Sequence, residues 1–158
     1  MMNPDTIDVL LRLGAAVLAG AVLGFNRDIH GKPTGIRTLG LVSLGVALAT
    51  ITVLRTPQSL AYEDAYSREL QGVVQGVLTG IGFLGGGVIL RSPREKAVHN
   101  LTTAAAVWVT AALGIVCAVG EWKVLGFGLL FAIILLAIGD RVDKFIARMT
   151  RGSSDTET

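Results

Sequence analysis

Five stretches of this chain are long, apolar and almost free of charge, and they limit the folds open to it. They run from Ile7 to Phe25, Thr38 to Leu54, Leu70 to Leu90, Leu101 to Gly120 and Trp122 to Gly139. Asp8 and Arg12 interrupt the first, and Lys123 stands at the edge of the last. A helix needs about 17–25 predominantly apolar residues to cross a bilayer. In lipid, a helix satisfies each backbone N–H and C=O within itself. The runs are apolar all round, whereas the helices of a soluble bundle carry a stripe. We therefore read an all-α membrane protein with five transmembrane helices. Composition agrees: of 158 residues 51% are hydrophobic and 16% charged, against about 25% charged in soluble domains. The first run has Asp5 and Asp8 at its start in place of a basic region. It is therefore read as a permanent helix and not as a cleaved signal peptide.

The cations set the topology. Arg27, Lys32 and Arg37 lie between runs one and two, and Arg91, Arg94 and Lys96 between runs three and four. Arg141, Lys144, Arg148 and Arg151 follow run five. Only Arg55, Arg68 and Lys123 lie in the other connections, with Arg12 inside run one. Lys and Arg collect on the cytoplasmic side. This predicts an N-terminus outside and a C-terminus in the cytoplasm. Residues 1–145 read as one transmembrane domain. After Gly139 the fifth helix is expected to continue for a turn or two, and 146–158 then form a polar, disordered tail. Arg55 to Glu69 is the one long external connection, and Ser59 to Glu69 within it has room for a short interfacial helix.

Glycine is the most informative residue within the spans. Gly20 and Gly24 are four apart in helix one, and Gly72, Gly76 and Gly80 continue that spacing in helix three, as do Gly82 and Gly86. Small residues at this interval form a stripe along which two backbones approach closely. Five of the eight residues from Gly80 to Gly87 are glycine. Each weakens a helix by about 1 kcal/mol relative to alanine. Two readings follow: helix packing, or a helix broken near Gly85, Gly86 and Gly87 that lines a cavity. Gln71, Gln75 and Thr79 repeat on the same helix, as interhelical hydrogen-bonding groups or the lining of a polar path. Asp8 and Arg12 are placed to pair across one turn.

Two cytoplasmic loops look alike. Arg27 to Thr38 and Arg91 to Thr102 each open on Arg, contain Pro and His, and close on Thr eleven residues later. They suggest a loose parallel repeat of helices one–two and three–four. Thr38, and Thr102 or Thr103, are placed as helix N-caps. Arg37 there favours an anion or a carboxylate, and Asp28 is the nearest carboxylate. No run holds a carboxylate cluster, and no nucleophile–base pair, nucleotide loop or metal-ligand set is present. The single cysteine, Cys117, excludes an intrachain disulfide and a Cys-rich zinc site. The expectation is no enzyme, no cofactor and no nucleic-acid partner, with any metal left open.

Phe25-Asn26-Arg27-Asp28 with Gly31-Lys32-Pro33-Thr34-Gly35-Ile36-Arg37-Thr38 resembles the first signature of the MgtC/SapB family of bacterial membrane proteins. Thr79 to Ile89 resembles the second, and Leu101-Thr102-Thr103-Ala104-Ala105 with Trp108 the third. The resemblance covers about residues 8 to 140. Asn26 stands where members often have Glu, and Asn100 where many have Gly. Ser67-Arg68 lies about one helical turn further from Gly80 than the family pattern has it. The sequence reads as a short form, without the ACT-like domain that better-studied members carry after the fifth helix.

The resemblance implies a multi-pass protein of the bacterial inner membrane linked to growth at low magnesium and, in pathogens, to survival in host cells. It implies two modes of action. One is regulation through contacts with other membrane proteins, as in members that restrain the rotary ATP synthase. The other is transport of Mg²⁺ or another ion. The glycine stripes favour the first, with the bilayer, a homo-oligomer (a dimer first) and other membrane proteins as partners. A polar cytoplasmic site is expected from Asn26, Arg27, Asp28, Arg37, Thr38, Asn100, Thr102 and Thr103. Gly72, Gly76, Gly80, Gly82, Gly85, Gly86 and Gly87 form the packing or broken-helix segment.

Overall fold

A computed structural model describes residues 3–55, 63–89 and 100–154. All regular structure among the described residues is helical, in the order α1 (Pro4–Ile29), α2 (Ile36–Leu54), α3 (Glu63–Ile89), α4 (Leu101–Val119) and α5 (Trp122–Ser154). Four are long and apolar enough to cross a membrane: α1, α2, α4 and α5 over Trp122–Gly139. The glycines and glutamines of α3 dilute its apolar character, although it is 27 residues long.

The boundaries depart from the apolar runs in instructive ways. α3 begins at Glu63, so residues 63 to 69 of the expected interfacial segment are the first turns of a longer helix. Residues 59–62 lie outside those described, as do 91–99 of the second loop. α5 runs on to Ser154 and not merely for a turn or two past Gly139. Residues 141–151 hold no proline and only strong or moderate helix formers. α3 also continues through Gly85, Gly86 and Gly87 to Ile89. The break that one of the two readings placed there is absent, because four-residue hydrogen bonding needs no side chain and glycine weakens a helix without terminating it.

α4 is the central helix, packed against α1, α2, α3 and α5. Its inner face carries Val107, Ala111, Leu113, Cys117 and Ala118. α1 meets α2 and α4 through Ala16, Ala19, Gly20, Leu23 and Gly24. Here glycine is required by close approach. A Cβ on Gly20 would stand 2.4 Å from the Leu39 carbonyl oxygen, and one on Gly24 2.5 Å from the Ile36 backbone. The same holds for Gly114 of α4, 2.5 Å from the Ser43 carbonyl oxygen of α2. Thr50 and Thr110, also buried, return their hydroxyls to the carbonyls of Val46 and Ala106, 2.8 Å away. That bond satisfies a polar atom inside an apolar bundle without a partner helix.

Candidate functional site

The bundle has two polar ends. At one, Asp8 and Arg12 pair across a turn of α1 as the spacing predicts, with Arg12 Nε donating to both carboxylate oxygens at 3.0 and 2.9 Å. The guanidinium also donates to the Ala118 carbonyl at 2.6 Å, at the C-terminus of α4. A cation there meets the negative end of the helix dipole. Gly120, at φ +86°, turns the chain out of α4 beside it. Arg55, just past α2, completes the cluster with bonds to Asp5 at 2.8 Å and Asp8 at 3.2 Å. The hydrogen bond to Asp5 is the main reason its pKa lies above the usual arginine value.

The opposite end is organised by Arg27. This residue stands in the last turn of α1 and is 2% exposed. Its Nε donates to the Pro33 carbonyl at 3.0 Å and the Thr34 hydroxyl at 3.2 Å. Another guanidinium nitrogen donates to the Thr103 hydroxyl of α4. One buried cation thus holds the loop after α1 against α1 and ties both to α4. Hydrogen bonds to a charged donor contribute about 1.5–3 kcal/mol each. Gly31 (φ +62°) and Thr34 (φ +64°) fold this loop tightly.

Asp28, one residue on, faces the other way. Its Oδ2 accepts the Ile36 amide at 3.0 Å, the first helical N–H of α2. The expected Asp28–Arg37 pair is therefore not formed. The carboxylate instead satisfies an amide left open at the helix start, where a negative charge also suits the dipole. Thr38 is not an N-cap either. α2 is capped at Gly35 and α4 at Asn100, neither through its own side chain. A side chain on Gly35 would collide with the Asp28 carboxylate, 1.8 Å from the would-be Cβ.

The structure divides the predicted polar set. Asn26, Arg27 and Thr102 line one small cavity with His30, Lys32, Leu135, Leu136 and Gly139, and Thr103 bonds Arg27 behind it. Asp28, Arg37 and Thr38 line a separate shallow pocket at the start of α2. Arg37 makes no hydrogen bond or ion pair with a described residue. Asn100 is exposed at φ +70°. Of the two arginines, Arg27 is the buried one and Arg37 stays exposed at the start of α2. The signal was present in the spacing: Arg27 follows Gly20 and Gly24 at seven and three residues, on the helix face that turns inward. His30 Nδ1 lies 2.6 Å from the Asn26 carbonyl. A carbonyl only accepts, so Nδ1 carries the proton. Among the described residues no group of His, Cys, Asp or Glu is arranged to hold a metal ion.

The α3 glycines behave differently from Gly20 and Gly24 of α1 and from Gly114 of α4. A Cβ on Gly72, Gly76, Gly80, Gly82, Gly86 or Gly87 would meet nothing within 4 Å, and one on Gly85 would make ordinary contact with Ala104 at 3.4 Å.

A family model described as MgtC family matches residues 13–145. This chain belongs to the MgtC family. With four helices apolar enough to span a bilayer, it is a membrane protein. Protein SrpB of Synechococcus elongatus is 42% identical over 148 residues, covering 89% of this chain and 79% of that protein. Protein SapB of Bacillus subtilis is 32% identical, over 80% of this chain and 54% of its own length. YhiD of Escherichia coli K12, whose name provisionally calls it a magnesium transporter, is 32% identical over 84% of this chain and 61% of its own. Apart from SrpB, these MgtC-family relatives extend well beyond the part this chain matches. No solved structure matches it.

Proposed function

We propose that this MgtC-family protein lies in the bacterial inner membrane, with all five helices crossing it, its N-terminus outside and its C-terminus in the cytoplasm. It acts as a regulator in adaptation to low magnesium, through contacts of α3 with a second copy or with helices of other membrane proteins. The observation that carries this reading is the contrast among the glycines. Gly20, Gly24 and Gly114 each sit against a neighbouring backbone, whereas six of the seven singled out on α3 touch nothing within 4 Å. In lipid, small-residue stripes are where helices associate, and this stripe lies open with Phe83, 83% exposed, beside it.

Cysteine crosslinking in native membranes tests it. In a Cys117→Ala background, single cysteines at Gly72, Gly76 and Gly80 are expected to crosslink, while one at the outward-facing Leu41 of α2 does not. Equal yields at all four positions refute a contact face on α3. Gly76→Leu and Gly80→Leu are expected to abolish assembly, and an oligomer that survives both refutes the stripe as its basis.

A second reading, transport of Mg²⁺ or another ion, draws on the name given to YhiD. It is read by Mg²⁺ flux into proteoliposomes with an internal dye. Saturable flux lost in Arg37→Ala establishes transport and displaces regulation by contact.

A further inference from the structure

α3 is inside out for a helix in lipid. Its apolar side faces its own bundle, where Val77 and Ile81 join the core with Leu39, Val107 and Ala111. Gln71, Gln75 and Thr79, spaced four apart on the opposite side of the helix, are exposed. Thr79 returns its hydroxyl to the Gln75 carbonyl at 2.8 Å and needs no other partner. Neither glutamine side chain hydrogen-bonds a described residue. Gln71 stands at the outer edge of the apolar run that opens at Leu70, within reach of the headgroups. Gln75 lies five residues into that run, about 7.5 Å deeper than Leu70. There an unpaired amide is costly, because hydrocarbon offers it neither donor nor acceptor. Gly82 and Gly86 continue the same face, seven and eleven residues on, and a Cβ on either would meet nothing within 4 Å.

We propose that this face of α3 docks on the same face of a second copy, with the Gln75 side-chain amides of the two copies hydrogen-bonded to each other. The proposal rests on the reading of α3 as a membrane-crossing contact helix and names its partner. An amide carries both donors and an acceptor, so glutamine is its own complement. Copies of one chain insert with their cations on the same side. Their α3 helices then run parallel about an axis along the membrane normal, and Gln75 meets Gln75 at one depth. A two-fold interface uses one patch twice, so the pairing leaves neither amide unmatched. A different protein would have to present an amide at this depth, whereas a second copy does so by symmetry. From Leu70 to Ile89 the sequence holds no charged residue, so the two faces meet without like-charge repulsion. The bare backbone at Gly82 and Gly86 lets the helices approach closely enough for the side chains to reach across.

The test is fluorescence energy transfer between full-length copies labelled at the C-terminus with donor or acceptor, purified and diluted into phosphatidylcholine liposomes. The wild type is expected to associate, and Gln75→Leu to lower the association constant about tenfold, the loss of two interhelical hydrogen bonds. Leucine is the more apolar side chain and Gln75 holds no described residue of its own chain, so the variant keeps the wild-type helical circular dichroism. Wild type mixed with Gln75→Leu is expected to associate no better than the variant with itself, because a reciprocal pair needs both amides. A wild type that is monomeric in these liposomes overturns the proposal, as does a Gln75→Leu that associates as tightly as the wild type. A mixed pair midway between the two parents also overturns it, since each Gln75 would then bond some other group. The cysteine crosslinks in native membranes separate this failure from that of the regulatory reading. Crosslinks from α3 to other proteins alone leave that reading standing without this one, and no preferential crosslink on α3 removes both.

Discussion

Replacing Gly24 by alanine is the sharpest probe of how this bundle is held together. The added Cβ would stand 2.5 Å from both Cα and N of Ile36 and 2.7 Å from the Gly35 carbonyl carbon. These are backbone atoms at the start of α2, so no side chain can swing away. Ordinary contact begins at 3.4 Å, so the start of α2 must retreat by about 0.9 Å. Overpacking of this kind costs about 1–3 kcal/mol. The retreat also stretches the Asp28–Ile36 bond, worth about 1 kcal/mol. Alanine returns about 1 kcal/mol as the better helix former. The net expectation is a loss of about 2 kcal/mol, or about 4–8 °C in Tm for a chain of this size. Cys117, fully buried, is a built-in reporter: a thiol-reactive dye in detergent micelles reads its exposure on heating. Gly76→Ala makes the same chemical change where nothing lies within 4 Å, and should leave Tm unchanged or raise it. If Gly24→Ala melts with the wild type, or if both variants fall equally, the assignment of Gly24 to an obligatory backbone contact is wrong.

Further expectations concern the Arg27 end and the turn after α4. Thr103→Val removes an acceptor of the buried guanidinium and should destabilise by about 1.5–3 kcal/mol, with Thr103→Ser recovering most of it. A Val variant as stable as Ser contradicts the assigned bond. Asp28→Ala removes the acceptor at the start of α2 and should cost about 0.5–2 kcal/mol. Gly35→Ala, which displaces the same carboxylate, should be non-additive with it in a double-mutant cycle, and additive losses would separate the two. Gly120→Ala places a side chain in the left-handed region and should cost about 1–2 kcal/mol, read by the same melt.

The Asp8–Arg12 pair is legible in the residue order, because it depends on neighbours within one helix. The open α3 stripe is legible as a stripe, but not as a free one. Gly20 and Gly76 carry the same local pattern, and only the neighbouring backbone distinguishes them. Arg27, on the inward face with Gly20 and Gly24, is the arginine that becomes buried, while Arg37 stays exposed beside the start of α2. Arg55 joining Asp5 and Asp8, and Leu135 and Leu136 facing Thr102, were not legible, since they link residues tens of positions apart through helix packing.

What the sequence determined by itself is the helical class, the candidate spans and the sorting of cations to one end. These follow from local hydropathy and charge, which act on each segment whatever its neighbours do. What the tertiary structure decided is which carboxylate caps which helix, which arginine loses solvent, and which glycines are spent on contact. These depend on where two segments distant in the chain come within bonding distance, and local patterns carry no information about that separation.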